Sequence, residues 1–302
     1  MTIEIFAHRA VRPQTRATGF AEQQQMLARF NRRRLAAGFG EAPFTWATEQ
    51  RMRTAELDFV SQCRRDIAPL LEDVPSDTVA FSAWFDALTQ SGPGQGDPLF
   101  PWLAEHASFE QMRWFLHQEV AGEAGFEDLL ALTQLKMPIR PKLEMARNYW
   151  DEMGRGQAKG MHGPMLERLA DHFVLDPDID NVLPEALALG NLMTALAHNR
   201  AFAFHSVGAL GVIEMTAPDR AAAVTEGLKR LGISGKVRQY FALHAVLDRR
   251  HSEDWHREVI APLIAEDSRR ARCIAEGALL RLARGKACFD AYRAHFGLSE
   301  KT

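Results

Sequence analysis

The stretch from Lys236 to Ile264 reads as one long helix and carries His244, Asp248 and His251 as an H-x3-D-x2-H array. At about 100° of rotation per residue, Asp248 projects about 40° from His244, and His251 about 20° from it on the other side. Two imidazoles and a carboxylate therefore share one narrow stripe. That donor set suits a divalent transition metal that accepts nitrogen and oxygen ligands. One helix supplies only part of a coordination sphere, so the constraint extends to the rest of the chain, which must bring the missing ligands to this stripe.

The surrounding pattern is helical almost throughout. Alternating β-branched runs bounded by turns are nearly absent, which predicts an all-α protein. Up to about Arg16 the chain reads as irregular. Helices are expected at Thr18–Ala37, Thr45–Leu71 and Ser76–Thr89, then at Phe109–Leu135, Lys142–Met153, His162–His172 and Pro184–Ala197. Further helices are expected at Arg200–Met215, Pro218–Leu231, Lys236–Ile264 and Asp267–Phe296. Thr216, Pro218 and Asp219 read as a helix stop followed by a capped restart. The Gly/Pro-rich run Ser91–Pro98 is the clearest breaker. It divides residues 1–98, expected as accessory N-terminal helices, from a main helical domain at 99–302, the two packing as one compact unit.

With 302 residues and 46% hydrophobic content, the chain has ample material for a packed core. A formal net charge of −3 gives no support to nucleic acid or an anionic membrane as partner. Arg32, Arg33 and Arg34 read as a solvated helix face. Cys63, Cys273 and Cys288 are far apart and form no CxxC pair, which fits buried thiols in a reducing cytoplasm. The first fifteen residues lack the continuous apolar core of a signal peptide. The apolar region Asn191–Met215 is interrupted by His198, Asn199, Arg200 and His205, so it reads as a buried helical region and not a membrane span.

Five further residues offer ligands. Glu152 ends a helix, Gly154, Gly156 and Gly160 make a break, and His162 opens the next helix. A glycine-rich turn can fold His162 back towards that carboxylate; the plain alternative is a surface acid and a capping histidine. Glu214 follows an apolar face containing Gly208, Ala209 and Gly211. If buried it requires a cation, a metal or a proton; otherwise it ends its helix and reaches water. Glu119 and Glu123, one turn apart, are either inward carboxylates or the polar edge of an amphipathic helix. His198 and His205 read as core hydrogen-bonders, while His106, His117, His172 and His295 read as surface or capping residues. His256 lies about 120° off the His244 stripe, whereas Trp255 is nearly in line with it. The Glu-x-x-His pair Glu253 and His256 points away from the stripe, and ferritin-like di-iron bundles carry two such pairs. No Gly-x-Ser-x-Gly elbow supports a hydrolase.

The ordered set Glu152, His162, Glu214, His244, Asp248 and His251 resembles the haem-oxygenase-like diiron oxidases and oxygenases, also described as iron-containing redox enzymes. The segment from Asn148, Tyr149, Trp150 and Asp151 through the glycines to His162 looks like the family's DE-x-G-x-G…H segment. Tyr240 and Phe241 before His244 look like its approach to the third ligand helix. The likeness spans roughly Phe109 to Ile264. It implies a haem-oxygenase-like helical bundle with two Fe(II) ions, O2 as co-substrate, and room for manganese in one position. It further implies Glu152 shared by both irons, His162 and His251 on one, and Glu214, His244 and Asp248 on the other. An additional carboxylate is expected from Glu123, or failing that Glu119. The implied activity is oxidation or oxygenation of a small amino-acid-like or fatty-acid-like substrate by N-oxygenation, oxidative decarboxylation or C–C cleavage. An external electron donor and a homodimer are compatible with it. The alternative is a helical binding protein or thiamin-salvage-type hydrolase without a functional iron site, which would need no His/Asp/His stripe.

Overall fold

In the computed structural model, residues 16–122, 125–176 and 178–299 are described. They form the helices α1 (Arg16–Leu35), α2 (Trp46–Ile67), α3 (Thr78–Ser91), α4 (Leu99–Glu105), α5 (Phe109–Gly122), α6 (Phe126–Thr133) and α7 (Ile139–Glu152). These are followed by α8 (His162–Phe173), α9 (Pro184–His198), α10 (Ala203–Arg230), α11 (Gln239–Trp255), α12 (Ala261–Glu266) and α13 (Arg269–Phe296). Among the described residues there is no strand, so the chain is all-α, as its periodicity predicts. None of these helices is long and apolar enough to cross a membrane. The irregular segment expected before Arg16 lies almost wholly outside the described residues.

Helix α10 is the central strut, with α4, α11 and α13 packed along it. Its contact with α13 is backbone on backbone. A Cβ placed on Gly208 would fall 1.8 Å from the carbonyl oxygen of Ile274, and one on Gly277 would fall 1.8 Å from that of His205. Only glycine at both positions lets the two helices approach this closely. On the α11 side, Gly211 leaves room for the Trp255 ring, which is 1% exposed and donates from Nε1 to the Val207 carbonyl at 3.2 Å. Residues of α2 and α3 share one apolar cluster with α9, α10, α12 and α13. A second cluster joins α4 and α5 to the C-terminal halves of α10 and α13.

Three sequence-based expectations need correction. The helix expected across Phe109–Leu135 is two helices, because Gly125 takes a φ of +74° between α5 and α6. The stop expected at Thr216–Asp219 does not occur: α10 runs unbroken through Pro218. A mid-helix proline costs ~3 kcal/mol, since it removes one amide donor and crowds the preceding turn. Burial of α10 on several sides outweighs that cost. Local side chains also take up acceptors there, as Thr216 Oγ1 donates to the Val212 carbonyl at 2.7 Å and Arg220 Nε to the Thr216 carbonyl at 2.9 Å. The helix expected over Lys236–Ile264 begins at Gln239 and widens into a π-turn at His256–Ile260 before α12.

Candidate metal centre

Four helices converge on one buried region. Glu152 is the last residue of α7, His162 the first of α8, Glu214 lies mid-way along α10, and His244, Asp248 and His251 project from α11. Glu152, His162, Glu214, Asp248 and His251 are each 5% exposed or less, and His244 is half-buried at a cavity wall. The six side chains fall into two triads. In each, one ligand-type atom per residue lies within 4.8 Å of the others: Glu152, His162 and His244 in one, Glu214, Asp248 and His251 in the second.

The turn between α7 and α8 delivers His162. Gly154 and Gly156 have φ of +60° and +81°, and Arg155 between them also has a positive φ, so the chain reverses within a few residues. A Cβ on Gly154 would lie 2.3 Å from the Gly160 carbonyl carbon, so the two limbs of the turn pass in contact. His162 Nδ1 thereby comes to 2.5 Å from Glu152 Oε2. The glycine-rich turn does what its composition suggests.

Glu214 does not end a helix in water. It lies inside α10 at 2% exposure, where Asn148 Nδ2 donates to its Oε1 at 2.7 Å. His251 Nδ1 is 3.5 Å from Glu214 Oε2, and its other ring nitrogen, Nε2, meets Asp151 Oδ2 at 3.2 Å. His244 Nδ1 lies 2.8 Å from the Tyr240 carbonyl, which makes Nδ1 the protonated nitrogen and leaves Nε2 to face the site. Partners of this kind fix which imidazole nitrogen faces a metal.

Burial sets the charges. Removal from water pushes the Glu152 carboxyl up to about 8, with Glu214 adding to the rise against the pull of His244. Burial and the nearby His251 lower His162 to about 4. Burial and His162 also lower His244. For His251 burial works downwards, but Glu214, Asp151 and Glu152 outweigh it and raise the imidazole to about 9.

The donor chemistry fits a metal. Glu152 Oε2 and both nitrogens of His162 are buried with no hydrogen-bond partner, although Oε2 and Nδ1 are within reach of each other. Buried polar atoms are rarely left unsatisfied. The pairing of Glu152 Oε2 with His162 Nδ1 is a donor set of the kind that fits a divalent transition metal.

The structure divides the residues differently from the expected partition. His244 stands with Glu152 and His162, and His251 with Glu214 and Asp248. The two histidines are seven residues apart, about 10 Å along the helix, and so meet different neighbours. Of the tentative ligands, Glu123 lies outside the described residues. Glu119 belongs to neither triad; it lines the adjoining cavity and accepts a hydrogen bond from the Tyr292 hydroxyl at 3.2 Å.

Other groups near the centre were not anticipated. Asn148 and Asp151 orient Glu214 and His251, and both sit beside Glu152 in sequence, within the segment already singled out. The Glu127 carboxylate borders His162 across a second pocket, and its charge acts on both Glu152 and His162. It follows Glu123 by four residues in sequence, on the far side of the break at Gly125. His205 is committed elsewhere, with Nε2 3.0 Å from Glu276 Oε2. His256 pairs with Asp86 at 3.3 Å, away from the site, and Trp255 is a packing residue.

A cavity of about 140 Å3 adjoins the triads and is lined by Glu152, Glu214, His244 and Asp248 together with apolar side chains. It is comparable to cavities that accept a benzene-sized molecule.

A family model described as "Iron-containing redox enzyme" matches residues 113–286. No curated protein matches the chain. Among solved structures, it is similar to a domain of unknown function with a haem-oxygenase-like fold from Shewanella denitrificans, at 12% identity and a TM-score of 0.49, covering 73% of this chain and 94% of that one. It is also similar to a CADD-like protein of unknown function from Nostoc punctiforme, at 15% identity and a TM-score of 0.46, covering 80% of this chain and 96% of that one.

Proposed function

Since this chain belongs to the iron-containing redox enzyme family, we propose that its two triads hold two Fe(II) ions and that it oxidises or oxygenates a small organic substrate with O2. Bound iron would supply the electron transfer and oxygen activation that side chains cannot provide. Glu152, His162 and His244 would hold one ion, and Glu214, Asp248 and His251 the other. Three carboxylates against two divalent ions leave a modest positive charge, which the buried region tolerates better than three unpaired acids. Manganese in one position satisfies the same donors.

The protein's own part is orientation and exclusion. The Tyr240 carbonyl and Asp151 hold His244 and His251 in place, while Asn148 fixes Glu214. The apolar walls of the adjoining cavity, among them Phe115, Leu129, Leu189 and Ile213, place a substrate beside the centre and keep bulk water away. Tyr240 stands between the two pockets, with its ring 4.3 Å from that of His244.

The observation that carries this reading is the approach of His162 Nδ1 to Glu152 Oε2 at 2.5 Å, both atoms buried and without hydrogen-bond partners. A helical binding protein or a hydrolase without iron gives no reason for it. Anaerobic Fe(II) titration of the purified chain should saturate near two equivalents, and admission of O2 should then produce a transient visible absorption. No uptake, or uptake unchanged in the His244→Ala, His251→Ala double variant, would refute the proposal.

A further inference from the structure

Helix α7 has its polar and apolar stripes reversed for a helix packed on a core. Its buried stripe is Glu144, Asn148 and Glu152, with Pro141 and Met145 beside it. Its exposed stripe is Ile139, Leu143, Ala146 and Trp150, spaced by four, three and four residues. At about 100° per residue the two stripes are centred on opposite sides of the helix. Ile139, Leu143 and Trp150 are 80%, 61% and 53% exposed. The inner face is polar because it carries Glu152 and the Asn148 amide that holds Glu214. The metal centre gives no reason for the outer row. Single exposed apolar residues are ordinary, but a contiguous row of them marks a contact surface.

Cations rim the row on both sides. Helical rotation puts Lys142 along one edge and Arg140 and Arg147 along the other. Arg257 of the π-turn adjoins Arg140, whose Nη2 donates to its carbonyl at 3.5 Å. Arg140, Arg147 and Arg257 are 60–61% exposed, whereas their acidic partners Glu258, Glu144 and Asp254 are 25% exposed or less. The outermost charge around the row is therefore positive, on a chain whose net charge is −3. A second copy paired across the row by a two-fold axis would bring cation to cation, with Lys142 meeting Arg147 of that copy in the antiparallel arrangement. Like charges across an interface oppose pairing. The row is about 16 Å long and one helix wide, which suits the small contacts of transient electron-transfer complexes and not the larger area of a stable homodimer. It is also close to the centre. The Trp150 ring lies over Gly156, in the turn that delivers His162, and the next residue, Asp151, meets His251 Nε2 at 3.2 Å. The row and Glu152 are on opposite sides of one helix, about 10 Å across.

We propose that the outer face of α7 is the docking site of a small acidic one-electron carrier protein, of the iron–sulfur or flavin class, and that its electrons cross α7 to the metal centre. The electron route rests on the metal reading above; the docking site does not. Apolar groups at the middle of the carrier's surface would cover Leu143 and Trp150, and its carboxylates would meet Lys142 and Arg147. Two reduced carriers, each giving up one electron, return two Fe(III) to two Fe(II), and no atom is transferred.

Binding to the purified, metal-free, full-length chain tests the docking site. The probes are a plant-type [2Fe–2S] ferredoxin and a flavodoxin, both acidic, with cytochrome c as a basic carrier. At least one acidic carrier should bind ~10-fold or more tighter than cytochrome c and lose affinity as salt rises. Leu143→Ser and Lys142→Glu, both at exposed positions, should each weaken that binding by ~10-fold or more and leave Fe(II) uptake unchanged. The electron route is read separately, by anaerobic stopped-flow with the iron-loaded, oxidised chain. The reduced carrier should be reoxidised at two equivalents per chain, and ~10-fold more slowly in Lys142→Glu at sub-saturating concentration. Binding by neither acidic carrier, equal binding of cytochrome c, or binding unchanged in both variants would overturn the docking site. So would sedimentation showing a wild-type dimer that Leu143→Ser dissociates. Docking without reoxidation, in a chain that holds two irons, would overturn the electron route. Docking by a chain that takes up no iron would refute the metal reading and leave the docking site standing.

Discussion

His162 Nδ1 lies 2.5 Å from Glu152 Oε2, although the two residues end different helices and a full reversal of the chain separates them. Neither atom is satisfied by a hydrogen bond, and the geometry of the intervening turn is what holds them together.

That turn should be intolerant of a Cβ. Gly154 combines a φ of +60° with a contact of 2.3 Å from an added Cβ to the Gly160 carbonyl carbon. Gly154→Ala is expected to cost at least ~1 kcal/mol in stability and to displace His162, so that metal uptake falls from two equivalents towards one. Denaturant unfolding and metal analysis after anaerobic loading read the two effects separately. Full uptake in the variant would show that the turn does not position His162.

Metal loading should release protons. In the metal-free chain, Glu152 is raised to about 8 and His251 to about 9, so both are largely protonated at neutral pH. A ligand must shed its proton to bind. Up to about two protons per chain should leave at pH 7, and affinity should weaken as pH falls. Calorimetry in buffers of different ionisation enthalpy measures the number; release of none would mean that neither group becomes a ligand.

Asp151 should matter without being a ligand. Its carboxylate lies 3.2 Å from His251 Nε2 and also pairs with Arg155 at 2.6 Å. Asp151→Asn is expected to leave the fold unchanged and to weaken metal binding about 10- to 100-fold, the range found when a histidine ligand loses its carboxylate partner. Competition with a chelator of known affinity gives the shift; unchanged affinity would remove Asp151 from the centre.

A structural ion cluster on the opposite side of α10 sets part of the acid stability. Glu276 joins His205 at 3.0 Å and Arg64 at 2.7 Å. Burial opposes its ionisation, but His205 and Arg64 outweigh this and draw its carboxyl down from 4.5 to about 2. A depressed folded value means that the stabilisation is fully present above about pH 4.5 and is lost as pH falls towards 2. Glu276→Gln should lower stability at pH 6 and flatten the fall between pH 5 and pH 3. Urea unfolding of the metal-free protein at these pH values checks it; parallel curves for variant and wild type would exclude the cluster.

The helical class and most helix positions follow from local periodicity. The departures lie where long-range packing competes with local rules. Pro218 reads as a stop because a proline removes an amide donor, yet burial of α10 against its neighbours carries the helix through it. The helix expected across Phe109–Leu135 is instead divided at Gly125, whose positive φ lies between α5 and α6, and Glu127 comes to act on His162.

By itself, the sequence determined that the chain is helical, that His244, Asp248 and His251 share one stripe, and that a glycine-rich turn can fold His162 back towards Glu152, while Glu214 joined the set only through the family resemblance. These are properties of rotation per residue and of glycine in a turn, and both are local. Only the tertiary structure decided that Glu214 is buried mid-helix, that His244 stands with His162 and Glu152, and that His251 stands with Glu214. Helical rotation specifies the face a side chain shares but not the neighbour it meets. Two turns of helix separate the histidines by about 10 Å, and the helix packed at each level determines which acid each one reaches.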